Sequence, residues 1–125
     1  MPQRTFIIIG GVVGALGVAL GAFGAHGLGA VLAANGRAAT FDTAAQYHLA
    51  HALALVLTGL LAGHLPGRWA RWAGWLFLAG VLLFSGSLYI LAVFDLGLMG
   101  AVAPFGGAAL VGGWLCLALA AWRQR

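Results

Sequence analysis

Four long apolar stretches, separated by short polar segments, dominate the hydrophobic pattern of the chain. They fall at about residues 6–25, 43–63, 72–94 and 104–122, and each is close to the roughly 20 residues that a helix needs to cross a bilayer. Runs of this length favour helices, because membrane-spanning strands would alternate apolar and polar residues. The pattern therefore predicts an all-α membrane protein in which residues 1–125 form a single domain, a four-helix transmembrane bundle.

The composition supports a chain that faces lipid. Hydrophobic residues make up 63% of the 125 residues and charged residues only 6%, whereas a soluble domain carries about 25% charged residues. The net charge of +4 comes from six arginines against two aspartates. These arginines lie between the apolar runs and form no basic patch on a soluble surface, so we expect the lipid bilayer as partner and no nucleic acid.

The distribution of charge predicts the topology. In a hairpin arrangement of four spans, one side of the membrane holds Arg4, Arg68, Arg71, Arg123 and Arg125 and no acid, while the other holds Arg37, Asp42 and Asp95. Arginine is retained on the cytoplasmic side, so both termini are expected in the cytoplasm. Four residues typical of an interfacial aromatic belt cluster near the basic side: Trp69, Trp72, Trp75 and Trp122.

The connection from His26 to Asp42 is too long for a simple turn. Its apolar residues predict a short helix at the outer interface, ended by Asn35–Gly36. Thr40 or Asp42 then fits the N-cap of the second span. Pro104 fits the first turn of the fourth span, where its missing amide hydrogen is tolerated.

The first span carries a regular stripe of small residues: Gly10, Gly14, Gly17, Gly21 and Gly24. At roughly 100° per residue they cover a face about 80° wide. Glycines spaced in this way let two helix backbones approach closely in lipid, as in a glycine zipper. Two interpretations stay open, packing against other helices of the same chain and contact between copies in a homo-oligomer. The glycines lie inside apolar spans, so they do not form a phosphate-binding loop.

A second group of residues carries the polar chemistry of the spans and of their outer ends. Its members are His26, Asp42, Gln46, Tyr47, His48, His51, Ser85 and Tyr89. Polar groups at membrane depth are costly, so we expect them to face the bundle interior or an oligomer axis.

Several roles are compatible with these side chains. His48 and His51 could share a metal ion, with His26 or Asp42 completing the shell, or one of them could ligate haem iron. His51 could relay protons or gate a pore along a polar path that includes Ser85 and Tyr89. The interpretation we favour is neutral hydrogen bonding between helices, worth roughly 0.6 kcal/mol per contact. Metal binding stays unknown and no cofactor is predicted.

Four segments resemble a known family. They are GAFGAHGL (Gly21–Leu28), TFDTAAQYHLAHALAL (Thr40–Leu55), AGWLFLAGVLLFSGSLYILA (Ala73–Ala92) and PFGGAALVGGWLCLA (Pro104–Ala118). The chain resembles the small bacterial inner-membrane proteins of domain-of-unknown-function family 423, which are similar to the eukaryotic transmembrane protein 256 family. The resemblance implies a four-helix membrane protein and supplies no activity, substrate, cofactor or catalytic residue.

Three classes of function follow from these features. The first is a non-enzymatic membrane protein that acts by helix packing, in a homo-oligomer or a larger membrane complex. The second is a small channel or transporter with a polar interior around Tyr47, His51, Ser85 and Tyr89. The third is a metal-binding protein that uses His26, His48 and His51. We expect no enzyme, because the chain has no Ser–His–acid spacing, carboxylate pair or phosphate-cradling loop.

Overall fold

The computed structural model describes residues 2–124, so Met1 and the predicted topology residue Arg125 lie outside the described residues. The regular structure of this part is entirely helical. It comprises α1 (Pro2–His26), α2 (Gly29–Asn35), α3 (Ala38–Leu61), α4 (Trp69–Gly80), a π-helical turn (Val81–Ser85), α5 (Gly86–Phe94) and α6 (Met99–Trp122). The helix from α4 to α5 is continuous, so four helices are long and apolar enough to cross a membrane. The predicted fold class is confirmed.

The helices begin earlier than the apolar runs suggested. The third helix starts at Ala38, the span containing α4 at Trp69, α6 at Met99 and α1 at Pro2. The predictions that Thr40 or Asp42 is the N-cap of the second span, and that Pro104 lies in the first turn of the fourth span, are therefore wrong. The first two residues lie inside α3 and Pro104 lies inside α6, not in its first turn. Alanine is a strong helix former, so the alanines that precede the second and fourth apolar runs extend α3 and α6 beyond them.

Each membrane-spanning helix packs mainly on the span that is next to it in the sequence. Helix α1 packs mainly on α3, α3 contacts α4, the π turn and α5, and α4 and α5 pack on α6. Phe6, Leu55 and Phe77 are completely buried where these layers meet, and Leu110 of α6 joins the same cluster. The interior is thus built from large side chains at the centre and from glycine at the helix crossings.

The glycine stripe of α1 is used mainly within the chain. A Cβ atom on Gly10 would lie 2.9 Å from the Val56 backbone nitrogen, and one on Gly17 would lie 2.8 Å from a Leu49 methyl carbon. Gly24 packs directly against the Phe41 ring, Gly14 makes only an ordinary contact with Ala52, and Gly21 faces open space. Three of the five glycines therefore allow α1 and α3 to approach closely.

A second close crossing joins α6 to the helix that contains the π turn. Gly106 lies against the backbone of Leu83 and Phe84, and Gly113 against the Phe77 ring. A π turn widens the helix by one residue and is commonly associated with functional sites. Here the turn lies directly against Gly106 of α6.

Helix α2 packs at the end of the bundle where α1 and α5 end and α3 begins. The predicted helix between the first two spans is confirmed, and it ends at Gly36 with a φ of 64°. The Asn35 side-chain amide donates to the carbonyl oxygens of Ala92 and Val93 at 3.0 and 3.1 Å. Arg37 forms a partly exposed ion pair with Asp95, with Nε 3.3 Å from Oδ1. The two Asn35 hydrogen bonds satisfy carbonyl groups at the end of α5 that the helix itself leaves free.

Both ends of the described chain lie at the opposite end of the bundle. The Gln124 side-chain amide donates to the His64 carbonyl oxygen at 2.9 Å, and Gln3 lies against Gly63. The connection between α3 and α4 therefore contacts the start of α1 and the end of α6. This arrangement gathers Arg4, Arg68 and Arg123 at one end, away from Asp95.

Candidate functional site

The polar interior is organised by two imidazoles of α3. His48 and His51 are each 5% exposed. Residues three apart on a helix point in directions about 60° apart, so the two rings meet different helices. His48 reaches α1 and α5, whereas His51 reaches α6.

His48 connects three helices. Its Nε2 atom is 2.7 Å from the Val13 carbonyl oxygen of α1, and its Nδ1 atom is 2.9 Å from the Tyr89 hydroxyl of α5. A carbonyl oxygen can only accept, so Nε2 carries the proton. In the neutral ring Nδ1 then accepts a hydrogen bond from the Tyr89 hydroxyl. The geometry selects one tautomer and uses both ring nitrogens.

His51 has the opposite tautomer. The Trp114 indole donates from Nε1 to His51 Nε2 at 3.0 Å, so in the neutral ring the proton is on Nδ1. That atom lies 2.8 Å from the Tyr47 carbonyl oxygen, one turn earlier in α3. The ring also meets Trp114 edge-on and lies against Phe77. Two aromatic rings therefore lie against the imidazole.

These bonds leave no imidazole lone pair free on the neutral rings. A metal ion or haem iron would have to displace Tyr89 from His48 or Trp114 from His51. Within residues 2–124 no three His, Cys, Asp or Glu side chains are close enough to hold a metal ion. His26 and Asp42, the suggested additional ligands, are exposed near the end of the bundle that contains α2. The ligand set suggested by the sequence is not assembled in this part of the chain.

Ser85 and Tyr89 flank His48, not His51. Ser85 is buried and donates to the Ala44 carbonyl oxygen at 2.9 Å, which ties the π turn to α3. Among the described residues no hydrogen bond joins Ser85 or Tyr89 to His51, whose ring bonds to Trp114 of α6. Every buried side-chain nitrogen or oxygen among the described residues has a hydrogen-bond partner.

The remaining predicted positions lie further out. Tyr47 is 46% exposed, although its ring stacks near His51 and packs against Phe84. Gln46 is exposed. Tyr47 and Gln46 therefore lie on the exposed surface of α3. The polar interior is formed by His48, His51 and their partners.

Trp114 is the site residue that sequence reasoning missed. The other tryptophans lie near the basic end, where an indole can bond to water or headgroups. Trp114 lies well inside α6, where an indole N–H needs an acceptor from the protein. A tryptophan in the middle of an apolar span is the feature of the sequence that could have identified this residue. Its indole N–H donates to the Nε2 atom of His51.

The bond between His51 and Trp114 should be measurable as a coupling free energy. We expect Trp114→Phe and His51→Leu each to lower the free energy of unfolding, and the double variant to be more stable than the sum predicts by about 0.6 kcal/mol. Reversible unfolding in mixed detergent micelles provides the measurement. Strict additivity of the two single effects would show that the bond contributes nothing.

The fold and this interior define a class, the small four-helix integral membrane proteins. Within that class the chain belongs to the family described as "Protein of unknown function (DUF423)", whose model matches residues 20–107. The family resemblance seen in the sequence is thereby confirmed.

Relatives in this family are named as membrane proteins. The UPF0382 membrane protein YwdK of Bacillus subtilis (strain 168) is 44% identical over 120 residues, covering 95% of this chain and 97% of the relative. The UPF0382 membrane protein SH2409 of Staphylococcus haemolyticus (strain JCSC1435) is 38% identical over 121 residues, covering 97% and 98%. None of the solved structures matches this chain. The comparisons establish a membrane protein and name no activity.

Proposed function

We propose that this protein is a non-enzymatic component of the bacterial inner membrane, with both termini in the cytoplasm, that acts by helix packing. The first partner we propose is a second copy of the chain, and a larger membrane complex is the alternative. The gathering of Arg4, Arg68, Arg71 and Arg123 at one end of the bundle supports this orientation.

A groove between α1 and α3 carries the proposal. It has a volume of about 410 Å³, and its lining combines small residues with branched ones: Gly10, Gly11, Gly14, Val18, Leu49, Ala52, Leu53 and Val56. A Cβ atom on Gly11 would meet nothing within 4 Å. Packing within one chain therefore does not require glycine there, although glycine costs about 1 kcal/mol relative to alanine inside a helix. Close approach by a helix of another subunit would require it.

The satisfied interior favours packing over transport and over metal binding. His48 and Ser85 bond to backbone carbonyl oxygens of neighbouring helices, and His51 bonds to Trp114. Each of these contacts holds two helices together. A conduction pathway would instead need polar groups that face a continuous water-filled space.

The test compares leucine at two open positions of the same helix. Gly11→Leu adds a side chain inside the groove, whereas Gly21→Leu adds it outside the groove, and neither new Cβ meets an atom within 4 Å in one chain. We expect the wild type and Gly21→Leu to form dimers in native mass spectrometry from mild detergent. We expect Gly11→Leu to dimerise at least about tenfold more weakly, because the side chain keeps the neighbouring backbone away.

Two controls accompany that comparison. Thermal unfolding of all three proteins checks that each monomer is folded, and chemical crosslinking in membranes checks for dimers that detergent disrupts. A wild type that is monomeric in both experiments would contradict the proposal of a homo-oligomer. So would a Gly11→Leu variant that dimerises as tightly as the wild type.

A further inference from the structure

The basic end of the bundle contains a concavity separate from the polar interior and from the α1–α3 groove. It lies where the α3–α4 connection meets the end of α6 and has a volume of about 490 Å³. Its lining residues are Pro66, Gly67, Arg68, Trp69 and Arg123. Gly67 has a φ of 81°, a left-handed conformation that shapes this wall and is unfavourable for other residues.

Two arginines line this concavity without an acidic neighbour. The Arg123 guanidinium carbon lies over the Trp69 ring, 5.3 Å from its centroid. The chain has only two acidic side chains, Asp42 and Asp95, and Asp95 pairs with Arg37 at the other end. Among residues 2–124, therefore, neither Arg68 nor Arg123 has a carboxylate within ion-pair distance.

The position of Arg123 over Trp69 leaves it available for an anion. A cation–π contact with the indole uses no N–H donor of the guanidinium, and two of these donors match two oxygens of a phosphate. The contact also restricts the side chain, so less conformational entropy is lost when a ligand binds. Arg68 supplies the second charge from the same concavity.

We infer that this concavity binds the phosphate of an anionic phospholipid headgroup. It lies at the ends of membrane-spanning helices, at the depth where headgroups are found, and not in the hydrocarbon. Exposed Trp72 and Trp75 near the same end of the α4 span provide the aromatic belt that marks this depth. Basic pockets between transmembrane helices at this level are typical binding sites for acidic lipids.

The chain offers a matched control for a local site as opposed to general attraction. Arg4 and Arg71 are exposed at the same end of the bundle and do not line the concavity. Replacing Arg68 and Arg123 by glutamine removes the same charge as replacing Arg4 and Arg71. Only the first pair removes donors from the concavity.

Native mass spectrometry of the full chain in detergent, titrated with phosphatidylglycerol, tests the inference. Each basic residue near a membrane surface contributes a binding free energy that corresponds to about a fivefold change in affinity for anionic lipid. We therefore expect the double variant Arg68→Gln with Arg123→Gln to weaken phosphatidylglycerol binding about thirtyfold. The double variant Arg4→Gln with Arg71→Gln should weaken it by a factor at least about threefold smaller. Phosphatidylcholine, which has no net charge, is expected to bind the wild type at least tenfold more weakly.

Three results would overturn the inference. Equal weakening by the two double variants would indicate diffuse attraction, and equal binding of the two lipids would indicate no headgroup selectivity. If millimolar inorganic phosphate displaced the lipid and its affinity were similar to that of the lipid, the site would be assigned to the free ion. If a double variant elutes as an aggregate in size-exclusion chromatography, the single variants Arg68→Gln and Arg71→Gln provide the same comparison. Arg68→Gln should then weaken phosphatidylglycerol binding about fivefold, and Arg71→Gln should weaken it less.

Discussion

Replacing Gly106 by alanine is expected to destabilise the bundle by about 3 kcal/mol, at the upper end of the range for overpacked sites. The added Cβ would overlap backbone atoms of Leu83 and Phe84 in the π turn. A side chain could rotate away from such an overlap, but a helix backbone can yield only if α6 moves as a body. That movement would also disturb the contacts of Leu110 and Gly113 in the same interface.

The neighbouring glycine is the control for this substitution. A Cβ on Gly107 would lie 3.6 Å from the nearest carbon of the Phe84 ring, which is an ordinary contact. Both substitutions raise helix propensity equally. Thermal unfolding in dodecyl maltoside should therefore show Gly106→Ala melting on the order of 10 °C below the wild type, with Gly107→Ala within about 2 °C of it. Equal melting temperatures for the two variants would mean that the helices are not so close at this crossing.

The four spans could be predicted from the sequence because the thickness of the hydrocarbon sets the length of the apolar runs. The boundaries could not, because hydropathy does not record the helix propensity of flanking residues. Ala38 and Ala39 continue α3 beyond its apolar run, and Met99 begins α6 before Pro104. Local propensity therefore explains why α3 and α6 begin before their apolar runs.

The members of the polar interior could also be predicted, but not which of them form pairs. His48, His51, Ser85 and Tyr89 were identified because polar side chains are costly in hydrocarbon. Their pairing depends on which helix lies beside each face of α3, and a helical wheel contains no such information. The π turn adds to the difficulty, because it changes the angular phase between α4 and α5.

The glycine stripe illustrates the same limit. Its spacing predicted a close helix contact but left the partner open. The structure uses Gly10, Gly17 and Gly24 against α3 and leaves Gly11, which is outside the stripe, beside an open groove. Gly10 and Gly14 of the stripe also line that groove, but the open position Gly11 is not one that the spacing identifies.

The second large effect is expected at His48. Replacing it by alanine removes hydrogen bonds to Val13 and Tyr89 that join α3 to two other helices. Each such bond contributes roughly 0.6 kcal/mol in a membrane protein, and the loss of a ring that is 5% exposed leaves a cavity that costs about a further 1–2 kcal/mol. We therefore expect His48→Ala to lower the free energy of unfolding by about 2–3 kcal/mol.

Two further variants separate the contributions at His48. Tyr89→Phe removes one hydrogen bond and keeps the ring, so it should cost about 0.6 kcal/mol. Gln46→Ala changes an exposed polar residue two positions away in α3 and should have an effect within about 0.5 kcal/mol of zero. The order of stability in mixed-micelle unfolding should be wild type and Gln46→Ala, then Tyr89→Phe, then His48→Ala. If His48→Ala were as stable as Gln46→Ala, the imidazole would not join the three helices, and its burial would instead indicate a role that the protein maintains without a gain in stability.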